Sequence, residues 1–219
     1  MIVCCYPSRY TAPFTAMIMD GITEIEELFV MTEIDKGAGK LSGERMRVTS
    51  RRSRGETIDL VVEHELPGVT PEMLDWWWDN IDSTERYRLW HPQAHLAFKW
   101  ERKCERHVGT VHEVTEKIGD SPATLRIRWE DPDLLPIERV YEHANAGSVL
   151  DEADEPMSWL MHQYKSIPGG TKMRSTFRLP ASAPEWFIED LRMHNIEEMG
   201  QFPSFLPELY ARRDRSSTD

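Results

Sequence analysis

Cysteine is scarce in this chain of 219 residues: Cys4, Cys5 and Cys104 are the only three, and no two of them form a CxxC pair. So few, and an odd number, exclude a disulfide framework and fit reduced thiols in a cytosolic protein. Long apolar runs are absent as well. None approaches the roughly 20 residues that a membrane span needs. Positive charge is in short supply, with 26 Lys and Arg against 38 Asp and Glu and a formal net charge of -12. An acidic surface repels phosphate backbones, which argues against a nucleic-acid partner. There is no internal repeat and no long low-complexity tract. The first 21 residues lack a basic leader region, and Pro7, Arg9 and Pro13 interrupt their apolar character. A signal peptide is therefore not expected, and a cytoplasmic location is.

What is present is the material of a core. Hydrophobic residues make up 40% and aromatics 10%, with 29% charged, which suits one soluble domain with a small appendage. Four of the eight Trp fall in the stretch WWWDNIDSTERYRLWHPQAH, which ends in two His four residues apart. The question is whether this is a greasy core segment or an aromatic wall beside a metal.

The pattern along the chain is strand-rich. Residues 34–55 are Gly-, Ser- and Arg-rich and read as loop with a short strand, completing an N-terminal arm over 1–55. In ETIDLVVEHEL, Ile58, Leu60 and Val62 alternate on one face of a strand. Pro67-Gly68 ends it, and Thr70-Pro71 caps a short helix, PEMLDWWWDN. Strand after strand is then expected. HVGTVHEVTEKI and PATLRIRWE form a hairpin around Gly119-Asp120. Residues 144–156 read as an acidic loop, and MSWLMHQYKSI and TKMRSTFRLP as strands joined by Pro168-Gly169-Gly170. Pro184 opens the longest helix, EWFIEDLRMHNIEEMG, which Gly200 is expected to close, with a shorter helical piece, FLPELYARR, after it. A catalytic domain over 56–213 and a frayed tail over 214–219 complete the division. Sheet in the middle and a long helix near the end is an α+β pattern. It is compatible with a curved antiparallel sheet around a C-terminal helix, the helix-grip arrangement.

Three places look chemical. On the C-terminal helix, Phe187, Leu191, His194 and Glu198 share one face, so an imidazole and a carboxylate stand one turn apart on an apolar stripe. Burying an unpaired carboxylate is expensive, and a metal ion would satisfy both groups. Read alone, the pair is equally a helix-end Glu hydrogen-bonded to its neighbour. In the strand after His107, Thr110, His112, Val114, Glu116 and Ile118 share a face with Val108, so Glu116 is again an inward carboxylate. By itself it could as well pair with an Arg. Glu130 falls on the polar face of the partner strand and is set aside as a ligand. In the third place Pro92 prevents His91 and His95 from acting as a helical two-His clamp. Alternation puts His95 opposite the apolar face of Leu96, Phe98 and Trp100, and only a bend or bulge at the strand start could re-aim it. Two His and two Glu suit zinc, and a sulfur-free, carboxylate-rich set also admits Mn or Fe.

Taken together, GVTPEMLDWWWDN, YRLWHPQAH, GTVHEVTEKIGDSPATLRIRWEDP, MHQYKSIPGGTKMRSTFRLP and HNIEEMGQFPSFLPELYARR resemble the diacetylphloroglucinol hydrolase family, which includes phloretin hydrolases. The resemblance runs from about residue 66 to about residue 212. It implies a helix-grip (START/pollen-allergen-like) domain with one zinc held by two His and two Glu. It also implies hydrolysis of the carbon–carbon bond between an acyl group and a phenolic ring. By position it assigns the metal to His95, Glu116, His194 and Glu198, with His91 and Glu113 as the alternatives to His95 and Glu116. Tyr87 and His162 match active-site residues of the family. The sequence departs from the family in reading RSTFRLP where an aromatic and a Gly are usual, and in a shorter N-terminal part.

The expected reaction is a retro-Claisen hydrolysis of an acylphenol or related β-diketone, with Tyr87 or His162 delivering a proton to the ring carbon. Trp77, Trp90 and His91 are expected to contact the substrate. The wall of Trp76, Trp77, Trp78 and Trp90 either stacks on the phenolic ring or fills the core. Alternatives on the same scaffold are a cyclase or isomerase of a polyketide-like substrate, and a carrier of a hydrophobic ligand. The expected partners are a small aromatic or polyketide molecule and, for the chain itself, a second copy in a homodimer, with no nucleic acid and no membrane.

Overall fold

The structure, a computed structural model, describes residues 54–104 and 107–213. The arm expected over 1–55 (apart from its last two residues) and the tail over 214–219 lie outside the described residues. Seven strands form one sheet: β1 (Thr57–Pro67), β2 (His95–Arg102), β3 (Val111–Ile118), β4 (Ser121–Glu130), β5 (His143–Leu150), β6 (Pro156–Ile167) and β7 (Gly170–Pro180). Their spatial order is β1-β7-β6-β5-β4-β3-β2, and every neighbouring pair is antiparallel. Helices α1 (Pro71–Asn80) and α2 (Thr84–Trp90) connect the two edge strands, and α3 (Glu185–Arg212) follows β7.

α1 begins and ends where its sequence says it should. The Thr70 hydroxyl accepts from the Met73 N–H, and Pro71 takes the first turn, where its missing N–H costs nothing. α2 is a correction, since strands were expected there. It is only seven residues long, too short to show a helical period, but the Ser83 hydroxyl caps it by accepting from the Arg86 N–H. The acidic loop expected over 144–156 is mostly strand β5, and only Asp151–Glu155 turn. β5 lies between β4 and β6, and residues 145–150 are all buried. A strand covered on both faces shows no alternation, and Ala, Gly and Ser in it hid its character.

The longest helix also corrects the reading. α3 runs unbroken for 28 residues through Gly200, Pro203 and Pro207. A helix-interior Pro typically costs about 3 kcal/mol. Burial on both sides of the prolines offsets it: Met199, Phe202 and Leu206 have no exposed surface. Each such side chain contributes roughly 1.5–3 kcal/mol. The first half of α3 covers Ile118, Phe177 and Leu179, and the second half joins the main core with Trp77, Trp78, Trp90, Tyr164 and Met173. At the β3–β4 turn, Gly119 has φ +66°, and a side chain there would collide with the Asp190 carboxylate of α3. That contact sets how closely α3 lies against the end of β3. Among the described residues, no helix is long and apolar enough to cross a membrane.

Candidate metal and catalytic site

β2 carries the device that builds the site. His95 pairs with Glu116, but Ala97 pairs with Thr115, so two residues on β2 face one on β3. This is a bulge, and it turns His95 to the same face as Glu116, Phe98 and Val114. His95 has no exposed surface, and Glu116 has 8%. α3 supplies the other half. His194 and Glu198 sit on its buried stripe at 6% and 5% exposure.

The four side chains converge. His95 Nε2 is 3.5 Å from Glu198 Oε2 and 3.6 Å from Glu116 Oε2. His194 Nε2 is 3.8 Å from an oxygen of each Glu. His95, His194 and Glu198 offer three ligand atoms all within 4.8 Å of one another, a buried group that could hold a metal. A tetrahedral ion with ligands at roughly 2.0–2.2 Å requires ligand atoms roughly 3.3–3.6 Å apart. The four imidazole-to-carboxylate separations, 3.5–3.8 Å, lie at or slightly above that range.

The tautomer of His95 agrees with it. Its Nδ1 donates to the Tyr87 carbonyl at 3.0 Å, which leaves Nε2 as a lone pair aimed among the carboxylates. Nε2 is buried and has no hydrogen-bond partner. Burial lowers the His95 pKa against the pull of Glu116, so the ring stays neutral and able to ligate. Burial first, and then the neighbouring Glu116, push the Glu198 carboxyl up to about 7, although His194 and Asn195 favour its charge. Two imidazoles and two carboxyl groups buried together are the donor set of a divalent ion, which would satisfy all four at once.

Tyr87 braces the cluster. Its ring stacks on His95 at 3.9 Å and 6°, and its hydroxyl donates to Glu116 Oε2 at 2.5 Å. Burial, then Glu116, raises its pKa well above 10, so the resting hydroxyl carries its proton. Glu113 is half-buried on the opposite face of β3. Glu130 is held by Arg128 Nε and the Ser148 hydroxyl, away from the cluster.

His91 stands beside the four rather than among them. Its ring stacks on His194 at 5.1 Å, and its Nε2 is 3.1 Å from Glu197 Oε2. Burial, then His194 and His95, lower its pKa. A cleft of about 320 Å³ opens from the surface onto His91 and His194, with Lys117, Asp120 and Asp190 at its rim.

Further in are the aromatic residues. Trp77 is packed edge-on against Phe202 and Phe205 and belongs to the core. Trp78, in the same core, also stacks on His162 at 5.5 Å and 10° and meets Trp90 edge-on at 5.1 Å. Trp90 lies 5.0 Å from His95 and 6.5 Å from His162, so it bridges the ligand cluster and the inner imidazole. Burial lowers the His162 pKa to about 3, which keeps the ring neutral.

Sequence reasoning missed a chain of polar residues. His162 Nδ1 lies 2.9 Å from the Ser175 hydroxyl, which lies 3.4 Å from His64 Nε2. His64 Nε2 is 2.9 Å from Asn195 Oδ1, and Asn195 Nδ2 donates to Glu198 Oε1 at 2.8 Å. One signal was available: His64 has the parity of Leu60, Val62 and Leu66 and therefore points inward from β1.

A curved antiparallel sheet closed by a long C-terminal helix defines a helix-grip protein. Solved structures agree: the chain is similar to Ara h 8.0201 (TM-score 0.50, 13% identity) and to the KanY protein (TM-score 0.51, 8% identity), in each case over 69% of this chain and 98% of the other. Residues 57–183 match the family described as the DAPG hydrolase PhiG domain. The chain belongs to that family. It is 27% identical over 188 residues to a 2,4-diacetylphloroglucinol hydrolase of Pseudomonas protegens, covering 66% of this chain and 61% of the relative. It is 27% identical over 177 residues to a phloretin hydrolase of Eubacterium ramulus, covering 67% and 65%. The chain thus spans a little under two thirds of the length of these curated relatives.

Proposed function

We propose that this chain is a metal-dependent hydrolase that cleaves the carbon–carbon bond between an acyl group and a polyhydroxylated aromatic ring, as the names of its relatives suggest. The observation that supports it best is the buried group of His95, His194 and Glu198, with Glu116 Oε2 3.6 Å from His95 Nε2 and 3.8 Å from His194 Nε2. These four residues would hold the ion. Zinc is expected, and the donor set also admits Mn or Fe. A metal held there supplies Lewis acidity toward an acyl carbonyl.

The chain's own residues do the rest. The cleft beside His91 and His194 admits the substrate to the metal side of the site. An acylphenol with neighbouring hydroxyls can tautomerise to a ring β-diketone. Tyr87 delivers its hydroxyl proton to the acyl-bearing ring carbon. Water adds its oxygen to the acyl carbon, and the acyl–ring bond breaks with its electron pair passing to the ring as a phenolate. The proton that the ring hydroxyl gave up as the diketone formed returns to the phenolate, and the remaining proton of the water restores Tyr87. One water is consumed, and a carboxylic acid and a deacylated phenol are released. His162, neutral at pH 7, gives a hydrogen bond to a ring oxygen as charge collects there.

Incubation of the zinc-loaded protein with acylphloroglucinols and with phloretin, followed by mass spectrometry, tests this reading. Release of the free acid is expected. If metal is bound and no acid appears from any of them, the hydrolase reading gives way to a cyclase or a carrier.

A further inference from the structure

The polar chain between Glu198 and His162 has a direction, and we propose that this direction fixes the hydrogen of His162 on Nε2. Asn195, His64 and Ser175 are then positioning residues that connect the metal side of the site to its ring-binding side. This rests on the proposed role of Glu198 as a carboxylate ligand.

A carboxylate that ligates a metal carries no proton and only accepts hydrogen bonds. Asn195 must therefore turn its amide N–H toward Glu198 Oε1, as it does at 2.8 Å. That leaves the Asn195 carbonyl oxygen, which can only accept, facing His64 Nε2 at 2.9 Å. His64 must carry its hydrogen there. Burial lowers the His64 pKa, so the ring is neutral and that hydrogen is its only one. A protonated Nε2 has no lone pair for the Ser175 hydroxyl at 3.4 Å. We assign the Ser175 hydrogen, which His64 cannot accept, to His162 Nδ1 at 2.9 Å. A ring nitrogen that accepts is not protonated, so neutral His162 holds its hydrogen on Nε2. Nε2 is the ring nitrogen farther from the strand, and His162 extends inward from β6 under Trp78.

The consequence is chemical. A fixed Nε2–H donor suits an oxygen acceptor, the phenolic or keto oxygen of the ring, and the other tautomer would offer that oxygen a lone pair. A donor held in place stabilises charge that develops on such an oxygen without reorganising.

Selectively ¹⁵N-histidine-labelled, zinc-loaded protein tests the inference, since long-range ¹H–¹⁵N spectra distinguish the two tautomers of His162. The wild type is expected to be protonated at Nε2. His64→Leu removes the link to Asn195 and should bring both tautomers into comparable amounts. His64→Gln keeps an N–H donor toward Asn195 and should restore the wild-type spectrum, which a merely structural role would not do. His162 protonated at Nδ1 in the wild type overturns the proposal. So does a spectrum that His64→Leu leaves unchanged, or a His64→Gln spectrum that matches the leucine variant. Metal content is measured on the same samples: a wild type without zinc sinks the ligand set, while its nitrogen shifts still decide the direction of the chain.

Discussion

Tyr87→Phe separates two jobs that the structure gives to one hydroxyl. The ring remains stacked on His95 at 3.9 Å and edge-on to Trp90 at 6.1 Å, so the fold is expected to persist. What disappears is the 2.5 Å hydrogen bond to Glu116, inside a site where Tyr87 is only 4% exposed. A hydrogen bond to a charged group contributes about 1.5–3 kcal/mol. At about 1.4 kcal/mol per tenfold, zinc affinity should fall by roughly 10–100-fold, the usual effect of losing a residue that orients a metal ligand. Loss of the proton donor is a separate effect. With zinc saturating, turnover should remain roughly 10²–10⁴-fold lower.

The assay is turnover on an acylphloroglucinol across a zinc titration, paired with a chelator competition that reads affinity. The two effects fall on different axes of the same experiment. Recovery of turnover to within about tenfold of wild type in excess zinc would refute Tyr87 as donor and leave it only the task of holding Glu116. An unchanged zinc affinity would instead remove Glu116 from the ligand set.

Glu198→Ala should abolish metal binding while the chain stays folded, and elemental analysis showing about one zinc per chain in that variant would contradict the ligand set. His162→Phe preserves the stack on Trp78, so it should retain zinc and lose turnover by about 10²–10³-fold, the usual result of removing one donor to a developing oxyanion. Leu206→Ala empties a fully buried position beside the two prolines of α3 and should cost about 2–5 kcal/mol in chemical denaturation; a cost near zero would mean that burial does not hold the helix through Pro203 and Pro207. His112 has its pKa lowered from 6.5 to about 3 by burial, then by His107, so the unfolded chain binds its proton first. Acidification from pH 6.5 toward 3 should therefore destabilise the wild type more than His112→Phe, by up to roughly 4 kcal/mol, and parallel stability curves for the two would disprove the assignment.

How much of this site could be read from the sequence depends on where each residue's periodicity was intact. His194 and Glu198 were legible because α3 keeps its 3.6-residue stripe from Phe187 to Leu206, and a charged residue on such a stripe stands out. The same stripe was more informative than the punctuation around it. Gly200, Pro203 and Pro207 are local stop signals, and long-range burial of Met199, Phe202 and Leu206 overrode them. Glu116 was legible by parity within β3. His95 was not, because one extra residue in β2 breaks the two-residue period between it and Phe98. Its parity was wrong by one, and it was the spacing from Tyr87 in the family resemblance that pointed to it. His64 and Asn195 mark the limit of that reasoning. A His and an Asn on buried faces are individually unremarkable, and the distance between them along the chain is 131 residues. What joins them is the antiparallel pairing of β1 with β7 at the far edge of the sheet from β2, with α3 packed across both β1 and β3. Sequence periodicity says which way a side chain points, but which side chain it meets is decided by the closure of the sheet around the helix. The polar chain from Glu198 to His162 exists only in that closure.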